Sequence, residues 1–133
     1  MDVSLASSFL FLTTAYYAFL KQKLFYGCAF LLLMTSSVLI RFLDEDSFEA
    51  LYVIDRVYIA VVILTGLSYF VHLRLLAKLV PFLFFLTICI LYAIGYWFSC
   101  FSFDTDIPKS QRHQALIHCL SILGHHSILW HLA

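Results

Sequence analysis

The sequence predicts an all-α fold, a polytopic transmembrane helix bundle of about five spans that forms a single domain over residues 1–133. Apolar residues make up 63% of the chain and charged residues only 12%, whereas about 25% of residues are charged in ordinary soluble domains. A soluble fold of this size leaves too much of its surface exposed to hide so many apolar side chains. Five apolar stretches approach the roughly 20 residues that a helix needs to cross the hydrocarbon layer.

The five predicted spans follow one another with short polar breaks between them. The first lacks the basic leader of a secretory signal peptide, so it is expected to stay as a helix. The second follows a basic turn, the third follows an acidic connection, the fourth follows a second basic turn, and the fifth is rich in histidine. Connections this short make neighbouring helices antiparallel. The predicted spans are about 3–20, 24–43, 49–70, 79–101 and 113–133.

The distribution of basic residues predicts the orientation, because Lys and Arg are retained on the cytoplasmic side of a membrane. Lys21 and Lys23 flank the first connection, and Arg74 and Lys78 flank the third. The N-terminus is therefore expected outside or in a lumen and the C-terminus in the cytoplasm. The formal net charge of zero argues against a nucleic-acid partner. Membrane lipids, and other membrane proteins, are the expected partners.

Ionisable residues inside the predicted spans are informative, because an Asp or Arg at a helix centre costs about 2.5–3.5 kcal/mol on insertion scales. Ser37 and Arg41 share one face of the second helix, and Asp55 lies early in the third. Both helices border the acidic connection, so Ser37 and Asp55 are expected close together. The alternative is purely structural: the serine bonds its own backbone, Arg41 extends to the membrane interface or pairs with Asp44, and Asp55 pairs with Arg56.

Five of the six histidines fall in the last span. His118 and His125 are seven residues apart and share a helical face, whereas His126 lies about 100° away. His118, His125, His126 and His131 are the candidate metal ligands. The alternative is that they pack and form hydrogen bonds inside the bundle. A further alternative is haem b, held by His72 with His118 or His125.

Three short motifs resemble a known family. The string from Ser37 through Arg41 to Asp44 resembles the Ser-x-x-x-His-x-x-Asp element of the CREST superfamily, the membrane hydrolases and relatives that include alkaline ceramidases, progestin/adiponectin-type receptors and myomaker-like proteins. Asp55 resembles the family's third-helix Asp, and the last helix resembles its terminal His-x-x-x-His. This resemblance implies a seven-helix bundle in which three histidines hold zinc. Ser37 and Asp55 would then support a metal-bound water that hydrolyses an amide or ester bond in a lipid.

The chain departs from that pattern in ways that leave several functions open. Arg41 stands where the second-helix histidine is expected, and a guanidinium cannot ligate zinc. His126 and His131 are five residues apart rather than four, and five spans are present rather than seven. The leading hypothesis is therefore a reduced relative of the CREST-type hydrolases, either a zinc-dependent lipid hydrolase with Ser37 and Asp55 as catalytic residues or a catalytically inactive descendant. The alternative is a non-catalytic accessory subunit of a larger membrane complex.

Overall fold

The protein is all-helical in a computed structural model that describes residues 3–42 and 45–132, with no strand among them. Of residues 3–5, 41–42 and 45–49 only the backbone is described. The helices are α1 (Val3–Phe9), α2 (Phe11–Leu20), α3 (Leu24–Phe42), α4 (Glu45–Phe70), α5 (Leu75–Phe98) and α6 (Ile107–Trp130), with a 3₁₀ turn at Phe101–Phe103.

The first two helices form one nearly continuous rod. Leu10, which separates them, keeps helical backbone angles (φ −65°, ψ −22°). The rod ends in a Schellman turn, in which Gln22 adopts a left-handed conformation (φ 59°). The amide of Lys23 donates to the carbonyl of Ala18, and that of Gln22 donates to the carbonyl of Phe19, so the last carbonyls are satisfied before the chain reverses. The described residues thus form five rods, the number that the sequence predicts.

Several helix ends differ from the predicted ones. α5 begins at Leu75 rather than at residue 79, and α6 begins at Ile107 rather than at residue 113. The predicted helix ends were placed where polar residues begin. A helix can continue through polar residues such as Lys78 and Arg112 because its backbone hydrogen bonds do not depend on the polarity of the side chains. Pro108 lies in the first turn of α6, where a missing N–H costs nothing.

Two helical segments, Ala50–Phe70 and Leu75–Phe103, are long and apolar enough to cross a membrane. Only 22% and 6% of their most apolar windows are buried, so most of each window lies on the surface of the bundle. Ala6–Leu20 and Leu24–Ile40 are apolar but shorter.

The core lies where α3 and α6 meet the first rod. α3 packs against α1, α2 and α4, and α6 packs against α1, α2, α4 and α5. Tyr26, Phe30 and Leu129 are completely buried there, together with the hydroxyls of Thr14 and Ser8. α5 packs mainly on α6 and on the 3₁₀ turn, and this arrangement leaves a cleft between α4 and α5.

Candidate functional site

The cleft is the larger of the two cavities described here, with a volume of about 490 Å³. Its wall is formed mainly by aliphatic and aromatic side chains of α4, α5 and α6. A few polar groups interrupt that wall: Ser37, Asp55, Arg56, Gln114, His118, Ser121 and His125. A mostly apolar cavity with a small number of polar groups is the usual form of a site for a small molecule. We call it the large cavity.

Asp55 is the buried acid of the large cavity, with 8% of its surface exposed. The hydroxyl of Ser37 donates a hydrogen bond to its Oδ1 atom at 3.0 Å. The single proton of the Ser36 hydroxyl is shared between the same Oδ1 atom, at 2.8 Å, and the carbonyl of Leu33, at 3.0 Å. The predicted proximity of Ser37 and Asp55 is therefore confirmed. The carboxyl group of Asp55 lies on the wall of the cavity, where a ligand could contact it.

The charged neighbours that the sequence suggested for this acid are placed differently or lie outside the description. The guanidinium of Arg56 lies over the ring of Tyr52, 4.5 Å from its centroid. The side chain of Arg41 and all of Asp44 lie outside the described residues. Hydroxyl groups therefore supply the described hydrogen bonds to Asp55.

His118 is buried, and both of its ring nitrogens have protein partners. Nδ1 lies 2.7 Å from the Ser7 hydroxyl, and Nε2 lies 3.3 Å from the Gln114 amide nitrogen. The edge of the ring also meets Phe11, with centroids 5.1 Å apart. A metal ion would have to displace one of these partners.

The two histidines that follow are held in the same manner. His125 Nδ1 is hydrogen-bonded to the hydroxyl of Tyr26, and its ring packs edge-on against Phe30 at 4.8 Å. His126 Nε2 lies 3.0 Å from Thr14 Oγ1. These contacts join α6 to α2 and α3. In a membrane, polar side chains commonly hold helices together in this way.

The remaining histidines of this helix lie elsewhere. His131 lines a second, smaller pocket together with His72, whereas His118 and His125 line the large cavity. His113 packs on Phe101, with ring centroids 4.9 Å apart. In the part of the chain described, no three His, Cys, Asp or Glu side chains are grouped so that they could hold a metal ion. The described contacts do not form a zinc site, and metal binding by His118, His125, His126 and His131 stays a prediction.

Three partners of these histidines were not predicted from the sequence: Ser7, Thr14 and Tyr26. A signal was nevertheless present, because Ser7 and Thr14 are seven residues apart and so share one face of the first rod. α1, α2 and α6 run in the same direction, so that face meets His118 and then His126. The next residue in that series, Lys21, donates from Nζ to the carbonyl of Leu132 at 2.8 Å.

Searches for similar proteins found no family model, no curated protein and no solved structure that matches this chain.

Proposed function

We propose that this protein is a multi-pass integral membrane protein that binds a lipid-like amphiphile in the large cavity, as a reduced relative of the CREST-type hydrolases without a complete zinc site. The observation that carries the proposal is a buried acid on the wall of a large, mostly apolar cavity. The volume of about 490 Å³ falls within the roughly 300–1,000 Å³ of typical ligand sites.

Five membrane crossings account for the exposed surface of the bundle. Leu64 is 66% exposed, and Phe82 and Leu83 are 49% and 50% exposed. Lipid tails would cover these side chains on α4 and α5. The basic connections at Lys21–Lys23 and at Arg74–Lys78 would face the cytoplasm, with the N-terminus outside or in a lumen.

The chemistry of the cavity selects the ligand. Its mostly apolar wall suits a hydrocarbon chain, and the carboxyl group of Asp55 offers a hydrogen-bond acceptor to an N–H or O–H group. Ser36 and Ser37 hold the Oδ1 atom and so fix the orientation of the carboxyl group. A long-chain amide or alcohol meets both demands, because its polar head donates a hydrogen bond and its tail is apolar.

Photolabelling tests this proposal. The probe is an alkyne-tagged, photoactivatable N-acylethanolamine, added to the full chain in lipid nanodiscs. Ile88→Trp places an indole in the large cavity, which Ile88 lines, and should abolish most of the labelling. Ile90→Trp is the matched control, because Ile90 is on the same helix, is 48% exposed and does not line the cavity. Equal labelling of the two variants would contradict the proposal.

Metal analysis separates the hydrolase from the inactive relative. Hydrogen bonds already engage four ring nitrogens of the α6 histidines: Nδ1 and Nε2 of His118, Nδ1 of His125 and Nε2 of His126. We therefore expect the purified protein to hold much less than one zinc per chain. One tightly held zinc per chain, together with release of fatty acid from an amide lipid, would instead support the hydrolase.

The second candidate, an accessory subunit, is favoured by the exposed surface of α5. Only 6% of the most apolar window of Leu75–Phe103 is buried, so a partner helix could cover this surface as well as lipid does. Size measurement in mild detergent distinguishes the two: a lone monomer argues against the accessory role, and a stable complex with a co-purifying protein supports it.

A further inference from the structure

A second pocket, of about 410 Å³, lies at the end of the bundle where α4 and α6 finish and α5 begins. His72 and Arg74 line it from the turn between α4 and α5. His131 lines it from the end of α6, and Ala77 from the first turn of α5. We call it the basic pocket. It does not share a lining residue with the large cavity.

Two lysines adjoin the basic pocket. Lys21 Nζ donates to the carbonyl of Leu132 at 2.8 Å, and Leu132 lines the pocket. Lys23 Nζ lies 5.6 Å from the ring centroid of Tyr69, which also lines it. Basic groups from three separate parts of the chain thus lie in or beside the pocket. His72 and Arg74 of the third connection and His131 at the end of the last helix line it, and Lys21 and Lys23 of the first turn contact residues that line it.

Among the residues whose side chains the structure describes, no Asp or Glu lines the basic pocket. The eight Asp and Glu residues stand at positions 2, 44, 45, 46, 49, 55, 104 and 106, which belong to the N-terminus, the α3–α4 and α5–α6 connections and the adjoining part of α4. Asp55, Asp104 and Asp106, whose side chains the structure describes, lie toward the opposite end of the antiparallel bundle. Four of the eight Lys and Arg residues, namely Lys21, Lys23, Arg74 and Lys78, lie at the end with the basic pocket. The Lys, Arg, Asp and Glu side chains described at this end are therefore all basic, although the formal net charge of the chain is zero.

The start of α5 adds backbone donors. Arg74 precedes this 24-residue helix and makes no side-chain capping bond to it. The first N–H groups of a helix have no partner inside the helix, and together with the helix dipole they favour an anion. Ala77, whose amide belongs to this turn, lines the basic pocket.

We infer that the basic pocket binds a phosphate group, and that a phosphate-bearing anionic lipid supplies it. The planar guanidinium of Arg74 matches the geometry of phosphate oxygens, and the imidazoles of His72 and His131 supply further N–H donors. Basic pockets between helices on the cytoplasmic side hold lipid head groups of this kind. That a lipid supplies the phosphate group rests on the proposed membrane location. The basic lining of the pocket does not depend on that location.

Titration of the full chain in detergent tests this inference with three soluble probes: dihexanoyl-phosphatidic acid, dihexanoyl-phosphatidylcholine and inorganic phosphate. We expect saturable binding of phosphatidic acid, weaker binding of inorganic phosphate and no saturable binding of phosphatidylcholine. Arg74→Gln should weaken the binding of phosphatidic acid about fivefold or more, since a basic residue near an anionic lipid surface contributes about 1 kcal/mol. Arg74 is exposed, so its replacement leaves the core intact.

Arg112→Gln is the control, because Arg112 is also exposed but belongs to the beginning of α6, at the other end of the bundle. It should leave the binding of phosphatidic acid unchanged. Equal weakening by both variants would overturn the site and show general attraction by charge. Equal affinity for inorganic phosphate and phosphatidic acid would overturn the lipid source. Photolabelling of the large cavity is a separate measurement. If the photoactivatable ligand does not label that cavity, the titration of the basic pocket can still be interpreted.

Discussion

The hydrogen bond between Ser37 and Asp55 predicts that the two residues are energetically coupled, and a double-mutant cycle measures that coupling. The variants are Ser37→Ala, Asp55→Ala and the double variant. Interhelical hydrogen bonds in membrane proteins average about 0.6 kcal/mol and reach about 1.7 kcal/mol. Asp55 is 8% exposed, and two hydroxyls share its Oδ1 atom. We therefore expect a coupling of about 0.6–1.7 kcal/mol. The cycle cancels the other contacts of Ser37.

Removal of both hydroxyls should cost more than removal of one. After Ser37→Ala, Ser36 still donates to Asp55. The double variant Ser36→Ala, Ser37→Ala removes both described donors to Oδ1, and a buried acceptor left without its partner costs about 1–3 kcal/mol. If the double variant were as stable as Ser37→Ala alone, the hydroxyl of Ser36 would not stabilise the carboxyl group of Asp55.

The assay is reversible unfolding of the full chain in mixed detergent micelles as the fraction of denaturing detergent rises, followed by circular dichroism. Thr35 supplies the matched control: it lies beside Ser36 in the sequence, but its exposed hydroxyl donates to the carbonyl of Leu31 at 2.8 Å. A cycle of Thr35→Ala with Asp55→Ala should therefore show a coupling near zero. The same coupling in both cycles, or additive effects of Ser37→Ala and Asp55→Ala, would refute the reasoning.

Two further predictions concern the histidine contacts of α6. In Gly66→Ala, the new methyl group would lie 2.8 Å from His125 Cε1 and 3.1 Å from the Tyr26 hydroxyl oxygen. Overpacking of this kind should lower the free energy of unfolding by about 1–3 kcal/mol. The same unfolding assay measures this change. Thr14→Val removes the partner of His126 Nε2 at nearly constant volume, and should lower the free energy of unfolding by about 0.6–1.7 kcal/mol.

Each of these predictions has a control on the same rod or at a second glycine. A methyl group on Gly124 would lie 3.3 Å from Phe84 Cβ, so Gly124→Ala should cost less than the change at Gly66. Thr13→Val alters an exposed hydroxyl that bonds only the backbone of its own rod, and should have a smaller effect than Thr14→Val. The reverse order in either pair would show that the histidine contacts do not stabilise α6.

The sequence predicts the parts of this architecture that depend on order along the chain. The five rods follow from the spacing of apolar stretches. The proximity of Ser37 to Asp55 follows because their antiparallel helices border one connection, which places both residues at similar depth. That His118 and His125 share the wall of the large cavity follows from their spacing of seven residues.

The sequence could not predict the parts that depend on which helices are neighbours. Helical spacing places Ser7 and Thr14 on one face of the first rod, but it does not say that α6 covers that face. The position of Tyr26 illustrates the same limit. An aromatic residue near a helix end is typical of the membrane interface, yet Tyr26 is completely buried and bonds His125.

The most direct test of the central claim, that the bundle spans a membrane with its two ends on opposite sides, is cysteine labelling in sealed vesicles. The four native cysteines are first converted to alanine: Cys28, Cys89, Cys100 and Cys119. A single cysteine then replaces Gln22 in the first connection or Thr105 in the last, both of which are exposed. A membrane-impermeant maleimide should label position 105 from the extracytoplasmic side and position 22 from the cytoplasmic side only. Labelling of both from one side, or recovery of the chain without detergent in the soluble fraction, would contradict it.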